Sequence, residues 1–539
     1  MKHQFLLSAA VALGVGGIAN AATLTCPTNA AGAIPGVKNI IIIVNDGGGP
    51  TVYDATRMYL GHPLVTDGAA FKKTFVSTYP LREDAVPNSV YSTEPTVVGG
   101  VILNNNFPIA GRAQQAAVVY DTAKFWDTTA IAGASKATGY GAYPAGFKGY
   151  EWSRFAHPDS GNTATSLASG VRSYNNAINV DGNGDAVEAI TDMIFNARCV
   201  GKATGVVSTV QFGDATPAAL GGAHNTARAN RTAIADEMFS SGKLDVIGGT
   251  GNPDFNDDNM ARTPAYTWVT SQLWADLKNK TNNSGKNPFK FTLLQDKAQI
   301  DAIADRKIKP PVKLAMIMKA DNSSQYNRSG ASTTPTQHAP YDPNKPVSAN
   351  NRPFNANIPT QAKLTIAALN RLDQNGRGFY LMSEAGAVDR AEHGNSTGRM
   401  IEEQVASDNT VQAIIDWVNR ADTAATWDNT LLIVTADHDH VLYGPQSATV
   451  PFQPLKDNGP GVVPGNLWLG PNHGTGLVPL YAYGKGAEAV VALATKNDDS
   501  GVDLVNPNGG ASYHLGHGAY VDQPTLGAVL KATAPQLVN

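Results

Sequence analysis

Ser160 lies in the stretch HPDSGNTATSLASG (157–170), between an acidic residue and a run of small residues that can open a helix. A helix beginning there would direct its unpaired N–H groups and positive dipole end at the Ser160 side chain, which suits an anion such as phosphate. A serine hydroxyl becomes a nucleophile only when a base or a metal ion removes its proton. Because Asp-Ser before small residues is also common in ordinary capped helices, the stretch alone leaves both interpretations open.

Aspartate and histidine side chains that could hold metal ions follow several predicted strands. Asp46 ends the run VKNIIIIVND, and Asp437 with His438 follows the buried run TLLIVT. Asp389 and His393 are four residues apart, so a helical turn places both on one face, where they can hold the same ion. His473 lies in NHGTGLVPLYAYG, which predicts a loop before another strand. The candidate metal ligands are Asp46, Thr216, Glu384, Asp389, His393, Asp437, His438 and His473.

The ligand types in this set point to more than one kind of ion. Histidine nitrogens suit Zn²⁺, whereas Asp, Glu and Thr oxygens suit Mg²⁺, so the set could support three ions. Each pair taken alone is weak evidence for a metal site, because Asp-His dipeptides are common. A lone histidine such as His473 is more often a structural residue. Their joint occurrence at strand ends favours a metal centre.

The strand and helix patterns predict an α/β fold with a central, mostly parallel sheet flanked by helices. The β-branched run at 37–46 is typical of a central parallel strand, and the strand-then-helix pattern returns from 160 onward. We expect one domain over 22–539, with loop insertions near 80–150 and 250–350. In an open sheet of this type, a site lies at the carboxyl ends of the strands.

The first 21 residues predict export. A basic start, an apolar middle and the ending Ala19-Asn20-Ala21 are typical of a secretory signal peptide, so we expect a periplasmic or extracellular protein. No later apolar run approaches the roughly 20 residues that cross a bilayer, so we expect no membrane span. In an oxidising compartment Cys26 and Cys199 could form a disulfide, which the sequence leaves open.

Charge composition bears on the class of partner. Charged residues make up 16% of the chain and the formal net charge is −4, which gives no reason to expect a nucleic-acid or anionic-membrane binder. A length of 539 residues is ample for a sizeable core.

Six motifs resemble the alkaline phosphatase family in order and approximate spacing. They are VNDGGG, PDSGNTATSLASGVRSYNNAINVD, GKATGVVSTVQFGDATPAALGGAHNTAR, SEAGAVDRAEH, IVTADHDH and NHGTGLVPLYAYG. The likeness leaves roughly 80–150 and 250–350 unmatched. It implies an alkaline phosphatase-like fold and a secreted enzyme that hydrolyses small phosphate monoesters through a phosphoserine intermediate, and it allows a homodimer as a further hypothesis.

The resemblance also implies roles for the candidate residues, with two Zn²⁺ and one Mg²⁺ per chain. Ser160 would be the nucleophile. The first zinc would be held by Asp389, His393 and His473, the second zinc by Asp46, Asp437 and His438, and the magnesium by Asp46, Thr216 and Glu384.

Four further residues receive implied roles around these ions. Arg228, one residue beyond the position of the bacterial pattern, would bind phosphate. Asp214 would orient waters on the magnesium, and His440 would support the zinc ligands from behind. Arg390 stands where bacterial members often have Lys, so it could add a phosphate contact or slow product release, or it could simply be a solvent-exposed arginine.

Two features near these motifs receive structural interpretations. Gly48 replaces the family's usual Met beside Asp46, and we expect this change to be neutral. His514 and His517, in YHLGHGAY, could suggest another metal site. Loop histidines without acidic partners are usually structural, and we favour that interpretation here.

Two other functions stay open as alternatives. A phosphodiesterase of the same superfamily would normally have a threonine nucleophile and lack both the magnesium ligands and the arginine. A non-catalytic secreted protein could bind metal or phosphate. The Ser160, Thr216, Glu384 and Arg228 set favours a monoesterase over both, and a sulfatase is less favoured still.

Overall fold

The structure is a computed structural model. It describes residues 31–85, 87, 113–185, 192–329, 340–345, 347–348, 351–506 and 511–537, together with the backbone of two short strands at 97–98 and 101–102. The predicted signal peptide at 1–21 lies outside these residues. Cys26 does too, so its disulfide with Cys199 stays a prediction.

The described residues form strands and helices in alternation along most of the chain. The strands are β1 (Asn39–Val44), β2 (Lys72–Ser77), β3 (Val97–Val98), β4 (Val101–Ile102), β5 (Ala130–Ala134), β6 (Pro144–Phe147), β7 (Ala203–Gln211), β8 (Val246–Thr250), β9 (Thr292–Leu294), β10 (Leu314–Ile317), β11 (Phe379–Glu384), β12 (Thr430–Thr435), β13 (Asp439–Tyr443), β14 (Leu467–Gly474), β15 (Val478–Gly484), β16 (Lys496–Leu504) and β17 (Tyr513–Asp522). The helices are α1 (Pro50–Leu60), α2 (Thr122–Phe125), α3 (Lys148–Phe155), α4 (Ser160–Ser169), α5 (Met193–Cys199), α6 (Ala215–Leu220), α7 (Arg231–Ser240), α8 (Ser271–Asn279), α9 (Lys297–Ala304), α10 (Gln361–Leu372), α11 (Ala387–His393), α12 (Thr397–Val418), α13 (Ala487–Val491) and α14 (Gln523–Thr533), with short 3₁₀ turns at Val65–Asp67 and Ala116–Val118.

One sheet of eleven strands joins most of the described strands, in the order β16-β17-β2-β15-β12-β1-β11-β7-β8-β10-β9. The seven strands from β12 to β9 in that order are parallel to their neighbours. Strand β15 runs antiparallel to both β12 and β2. These observations confirm the predicted α/β fold with a mostly parallel central sheet.

Strand β1 shows why the sheet interior is apolar on both faces. Its side chains alternate between two cores: Ile40, Ile42 and Val44 enter one, and Ile41 and Ile43 enter the other. Helices α4, α6 and α14 contribute to the first core, and α10 and α12 to the second. A strand covered by helices on both faces needs a continuous β-branched run, which is the sequence found here.

The two stretches that the motifs leave unmatched pack in different parts of the fold. In the described part of 80–150, an aromatic cluster around Tyr120, Phe125 and Tyr150 packs with residues of β13 and β14. Within 250–350, strands β9 and β10 extend one side of the central sheet, so that part of the stretch belongs to the sheet itself. No helix in the described ranges has both the length and the apolar character needed to cross a membrane.

Candidate active site

Four candidate metal ligands lie at the carboxyl ends of neighbouring parallel strands. Asp46 and Asp437 each follow a strand, β1 and β12, by two residues, and Glu384 is the last residue of β11. Thr216 lies in α6, the helix that follows β7. Because β12, β1, β11 and β7 are adjacent in the sheet, these side chains meet at one edge.

Ser160 is the first residue of α4 and faces this edge. Asp159 caps the helix: its carboxylate accepts a hydrogen bond from the Asn162 N–H at 3.0 Å. The Ser160 Oγ lies 3.2 Å from His438 Nε2 and 3.5 Å from Asp46 Oδ1. The hydroxyl therefore lies between the positive end of a helix dipole and a group of candidate metal ligands.

Three imidazole rings converge on one oxygen of Asp389. The Asp389 Oδ1 lies 2.9 Å from His440 Nε2, 3.2 Å from His473 Nε2 and 3.3 Å from His393 Nε2. Ligand atoms of these four residues all lie within 4.8 Å of one another. His440 therefore contacts Asp389 directly, beside the three residues proposed for the first ion.

The other ring nitrogens show which atoms of this group are free to bind an ion. His393 Nδ1 lies 2.6 Å from the Pro471 carbonyl oxygen, and His473 Nδ1 lies 2.8 Å from the Pro158 carbonyl oxygen. Because a carbonyl only accepts, both Nδ1 atoms carry the proton in the neutral rings, so both Nε2 atoms present lone pairs. These lone pairs face each other across 3.2 Å beside a carboxylate, an arrangement that fits a bound cation.

A second group surrounds Asp46. The His438 Nε2 lies 3.1 Å from Asp46 Oδ1 and 3.4 Å from Asp437 Oδ2, and all three side chains are buried. Ligand atoms of Asp46, Asp389 and His438 lie within 4.8 Å of one another. Asp389 therefore adjoins both groups.

Burial and mutual repulsion disfavour the ionised form of these carboxyl groups when no cation is bound. Burial, followed by the charges of Asp437 and Asp389, raises the pKa of Asp46 well above its usual range. Burial also raises the pKa of Asp437 to about 6 and that of Glu384 to about 8. Thr216 Oγ1 is buried beside Glu384, whose pKa it lowers, and no described residue forms a well-aligned hydrogen bond with it. Crowded carboxylates beside such a hydroxyl are the oxygen ligands that a divalent cation prefers.

Two arginines meet on one carboxylate at the rim of the site. Arg228 donates to Asp214 Oδ1 at 2.8 Å and to Asp159 Oδ2 at 3.1 Å, while Arg390 donates to Asp214 Oδ2. Burial raises the pKa of Asp214, but the two guanidinium charges outweigh burial and lower it to about 2. The side chains of Arg228 and Arg390 are 25% and 34% exposed, so both charges are within reach of a ligand entering from solvent.

The family model for alkaline phosphatase matches residues 145–499, which include Ser160 and the candidate ligands from Thr216 to His473. The chain belongs to the alkaline phosphatase family. This confirms the resemblance found in the motifs, and Asp46 lies outside the matched range.

Alkaline phosphatases from several bacteria are similar to this chain in sequence. It is 30% identical over 290 residues to alkaline phosphatase 4 of Bacillus subtilis, an overlap of 52% of this chain and 49% of that protein. It is 29% identical over 287 residues to the alkaline phosphatase of Escherichia coli, covering 52% and 58% of the two chains. The chain therefore spans about half the length of the curated relatives it matches.

Solved alkaline phosphatases share the fold over nearly the whole chain. The enzyme from Thermus thermophilus gives a TM-score of 0.54 at 15% identity and covers 97% of both chains. The enzyme from the Antarctic bacterium TAB5 gives 0.52 at 16% identity, covering 94% of this chain and 100% of its own. At these identities the likeness establishes the fold alone.

Several residues around the candidate site form contacts that the motifs did not predict. Asp159 pairs with Arg228, and its position before Ser160 as a helix cap was the available signal. Ser208 donates to Glu384, and Gln211 Oε1 lies 3.4 Å from the Arg390 guanidinium. Both belong to the apolar strand pattern of β7, which gave no sign of a polar role.

Three expectations about local structure need correction. His473 lies within β14 rather than in a loop, since this part of the chain pairs with β13. His514 and His517 lie on β17, also not in a loop. His514 has acidic partners after all, because its two ring nitrogens lie 2.8 Å from Asp503 and 2.7 Å from Asp499.

Proposed function

We propose that this protein is a metal-dependent hydrolase of phosphate monoesters that uses Ser160 as its nucleophile. Family membership supports a phosphatase, and the observation that carries the serine assignment is its position. The Ser160 Oγ lies at the N-terminus of α4 and within 3.5 Å of both Asp46 and His438. Attack by Oγ on phosphorus would break the bond to the leaving alcohol and leave phosphate on the serine, which water then removes.

The proposed ions are two zinc and one magnesium, on the ligand sets that the family resemblance implies. The donor types fit, because facing imidazole lone pairs suit zinc while the Glu384 carboxylate and the buried Thr216 hydroxyl suit magnesium. One solved structural neighbour, a mutant of the TAB5 enzyme, holds Mg. Ions bound here would lower the pKa of the serine hydroxyl and neutralise charge on the leaving oxygen. The His440 Nε2–H donates to Asp389 and fixes the direction of that carboxylate.

Arg228 is proposed to bind the phosphate and to favour monoesters. Its guanidinium is held by Asp159 and Asp214, so the planar fork is oriented before substrate arrives. A fork of this kind can donate to two oxygens of a phosphate at once. A monoester dianion carries two negative charges on three non-ester oxygens, whereas a diester carries one negative charge on two.

The alternatives are separated by specific features of the site. A diesterase would gain less from Arg228 and Arg390, since its substrate has a single negative charge. A protein that only binds phosphate would not need a nucleophilic hydroxyl facing the candidate ligands. Export to the periplasm or medium and assembly into a homodimer stay predictions.

The function is tested by a paired assay on the zinc- and magnesium-loaded protein. Hydrolysis of p-nitrophenyl phosphate should exceed that of bis(p-nitrophenyl) phosphate at alkaline pH. When the protein is incubated with excess inorganic phosphate or substrate and then quenched with acid, phosphate should be trapped on the peptide that contains Ser160. Mass spectrometry would detect it. Ser160→Ala should lose more than about 1,000-fold in kcat while keeping its metal content. Phosphate trapped on another residue would contradict the nucleophile, and faster diester hydrolysis would contradict the substrate class.

A further inference from the structure

Residues 130–147, named here the tyrosine hairpin, contact both segments that carry the histidines of the first ion site. They comprise β5, β6 and the turn between them. We propose that the tyrosine hairpin is a brace that positions His393 and His473 for metal binding through the hydroxyls of Tyr140 and Tyr143. The inference rests on the metal site proposed above.

Tyr140 holds the strand that carries His473. Its hydroxyl donates to the carbonyl oxygen of His473 itself, and the residue is completely buried. Its ring lies against Gly470 of the same strand, where a Cβ would come within 2.1 Å of the ring. The Arg154 guanidinium carbon lies 5.5 Å from the ring centroid and supports the ring. Tyr140 therefore holds the backbone of β14 at two points, the His473 carbonyl group and Gly470.

Tyr143 joins β14 to the helix that carries His393. The Asn395 amide is assigned with its oxygen toward Tyr143, because only this orientation gives partners to both of its polar atoms, and the Tyr143 hydroxyl then donates to that oxygen at 2.5 Å. The amide nitrogen then donates to the carbonyl oxygens of Glu392 and Gly470, at 3.0 Å each. Glu392 is the neighbour of His393, and Gly470 lies three residues before His473. The Asn395 amide thus ties the two ligand segments together, and Tyr143 fixes the amide.

The tyrosine hairpin is itself held by the adjoining helix α3. The buried Glu151 carboxylate accepts hydrogen bonds from Ser135 Oγ at 2.7 Å, Lys136 N at 2.7 Å and Ala137 N at 2.6 Å. At the other end, Arg154 donates to the Pro144 carbonyl oxygen at 2.9 Å. A loop fixed at both ends by buried charged groups can hold a partner in place, which a free loop cannot do.

The elements that carry the first-site histidines need such support more than those of the second site. Asp437 and His438 lie two and three residues beyond β12, a strand in the middle of the sheet. His393 ends a seven-residue helix, and His473 lies in a strand whose sheet has only two members. Groups that orient metal ligands from outside the first coordination sphere typically change metal affinity by about 10- to 100-fold when removed.

The test measures zinc binding by Tyr140→Phe, Tyr143→Phe and the double variant, each keeping its ring. Metal-stripped full-length protein is titrated with zinc against a chromogenic chelator, and the visible spectrum of the Co²⁺-loaded protein is recorded. We expect about tenfold weaker binding of one ion in the double variant, with an altered Co²⁺ spectrum. A His393→Ala variant shows which binding step belongs to the first site. The ion held by Asp437 and His438 should bind as in the wild type.

Tyr513→Phe is the matched control, because it removes a tyrosine hydroxyl that donates to the Pro451 carbonyl oxygen at 2.9 Å, away from both ligand segments. It should bind both ions normally. Unchanged affinity in the double variant would overturn the brace, and so would an equal loss at both sites, since that is what general destabilisation produces. A wild-type protein that binds no zinc would overturn the proposed function and the brace together.

Discussion

Arg228 is the residue whose surroundings say most about the substrate. Burial lowers the pKa of its guanidinium, but Asp214 and Asp159 outweigh burial and raise it, so Arg228 stays cationic at alkaline pH. Arg390 brings a second positive charge to the other oxygen of Asp214. The carboxylates of Asp214 and Asp159 balance the two guanidinium charges, so the preference for a dianionic ligand rests on the N–H donors that the arginines present to phosphate oxygens.

Arg228→Ser tests this preference at the level of one side chain. A charge-assisted pair to two phosphate oxygens is worth about 1.5–3 kcal/mol, so kcat/KM for a monoester should fall about 10- to 150-fold. Inhibition by inorganic phosphate should weaken in parallel, and the same measurement on a diester should show a much smaller loss.

Arg390→Ser is the matched variant for that experiment, because it removes a guanidinium that also pairs with Asp214. It should lower monoester turnover less than Arg228→Ser, since Arg390 contacts only one of the two acidic residues that hold Arg228. Equal losses on both substrates in Arg228→Ser would show that Arg228 has a structural role. A larger loss in Arg390→Ser would move the phosphate-binding role to that residue.

At the scale of elements, the sequence predicts well where periodic apolar residues dictate the structure. The run at 37–46 becomes β1 because both faces of the strand are buried, and the spacing of Asp389 and His393 becomes one turn of α11. The tyrosine hairpin could not be predicted, because Gly, Tyr and Pro in that stretch show no period. Its position depends on contacts with residues 470–473, more than 300 residues away in sequence, and no local pattern contains them.

The N-terminus of α4 depends on a close approach that only glycine allows. A Cβ on Gly161 would lie 2.9 Å from the Ala177 carbonyl oxygen and 3.1 Å from the Asn176 carbonyl carbon. Both are backbone atoms, so they cannot move aside as a flexible side chain could. The helix start would shift instead, and Ser160 is its first residue.

Gly161→Ala should therefore lower kcat by about tenfold or more, because displacements near 1 Å at a reacting group cost up to about 100-fold. Steady-state kinetics on a monoester would measure the change, with circular dichroism to verify the fold. Gly376→Ala is the control, since a Cβ there meets nothing within 4 Å. Normal turnover in Gly161→Ala would show that α4 tolerates the shift.

At the scale of the whole molecule, the sheet gathers acidic side chains at one edge. Asp46, Asp437 and Glu384 lie at the carboxyl ends of three adjacent parallel strands and are all buried. The strand order thus brings together carboxyl groups that would repel one another if all of them were ionised. The sequence indicated the ligand types, but which of them would lie within a few ångströms of each other depends on the strand order, which no local pattern fixes.

These carboxyl groups make the stability of the metal-free protein depend on pH in a defined direction. Burial raises the pKa of Glu384 to about 8 and that of Asp437 to about 6, whereas both groups titrate near 4 in an unfolded chain. Between about pH 4 and 8 the folded state therefore binds more protons at these groups than the unfolded state. By linkage, their contribution to stability is fully present below the unfolded pKa values and is lost as pH rises through the folded ones.

Zinc and magnesium should reverse that loss, because the ions bind the deprotonated carboxylates and neutral imidazoles. The gain in Tm on adding buffered zinc and magnesium to the chelated protein should be larger at pH 9 than at pH 6, as measured by scanning calorimetry. Glu384→Gln is the control, since it removes a carboxyl group at this edge whose pKa burial raises to about 8, and the pH dependence of the gain should become flatter. A gain that is equal at the two pH values, or larger at pH 6, would show that the buried carboxylates do not bind the ions.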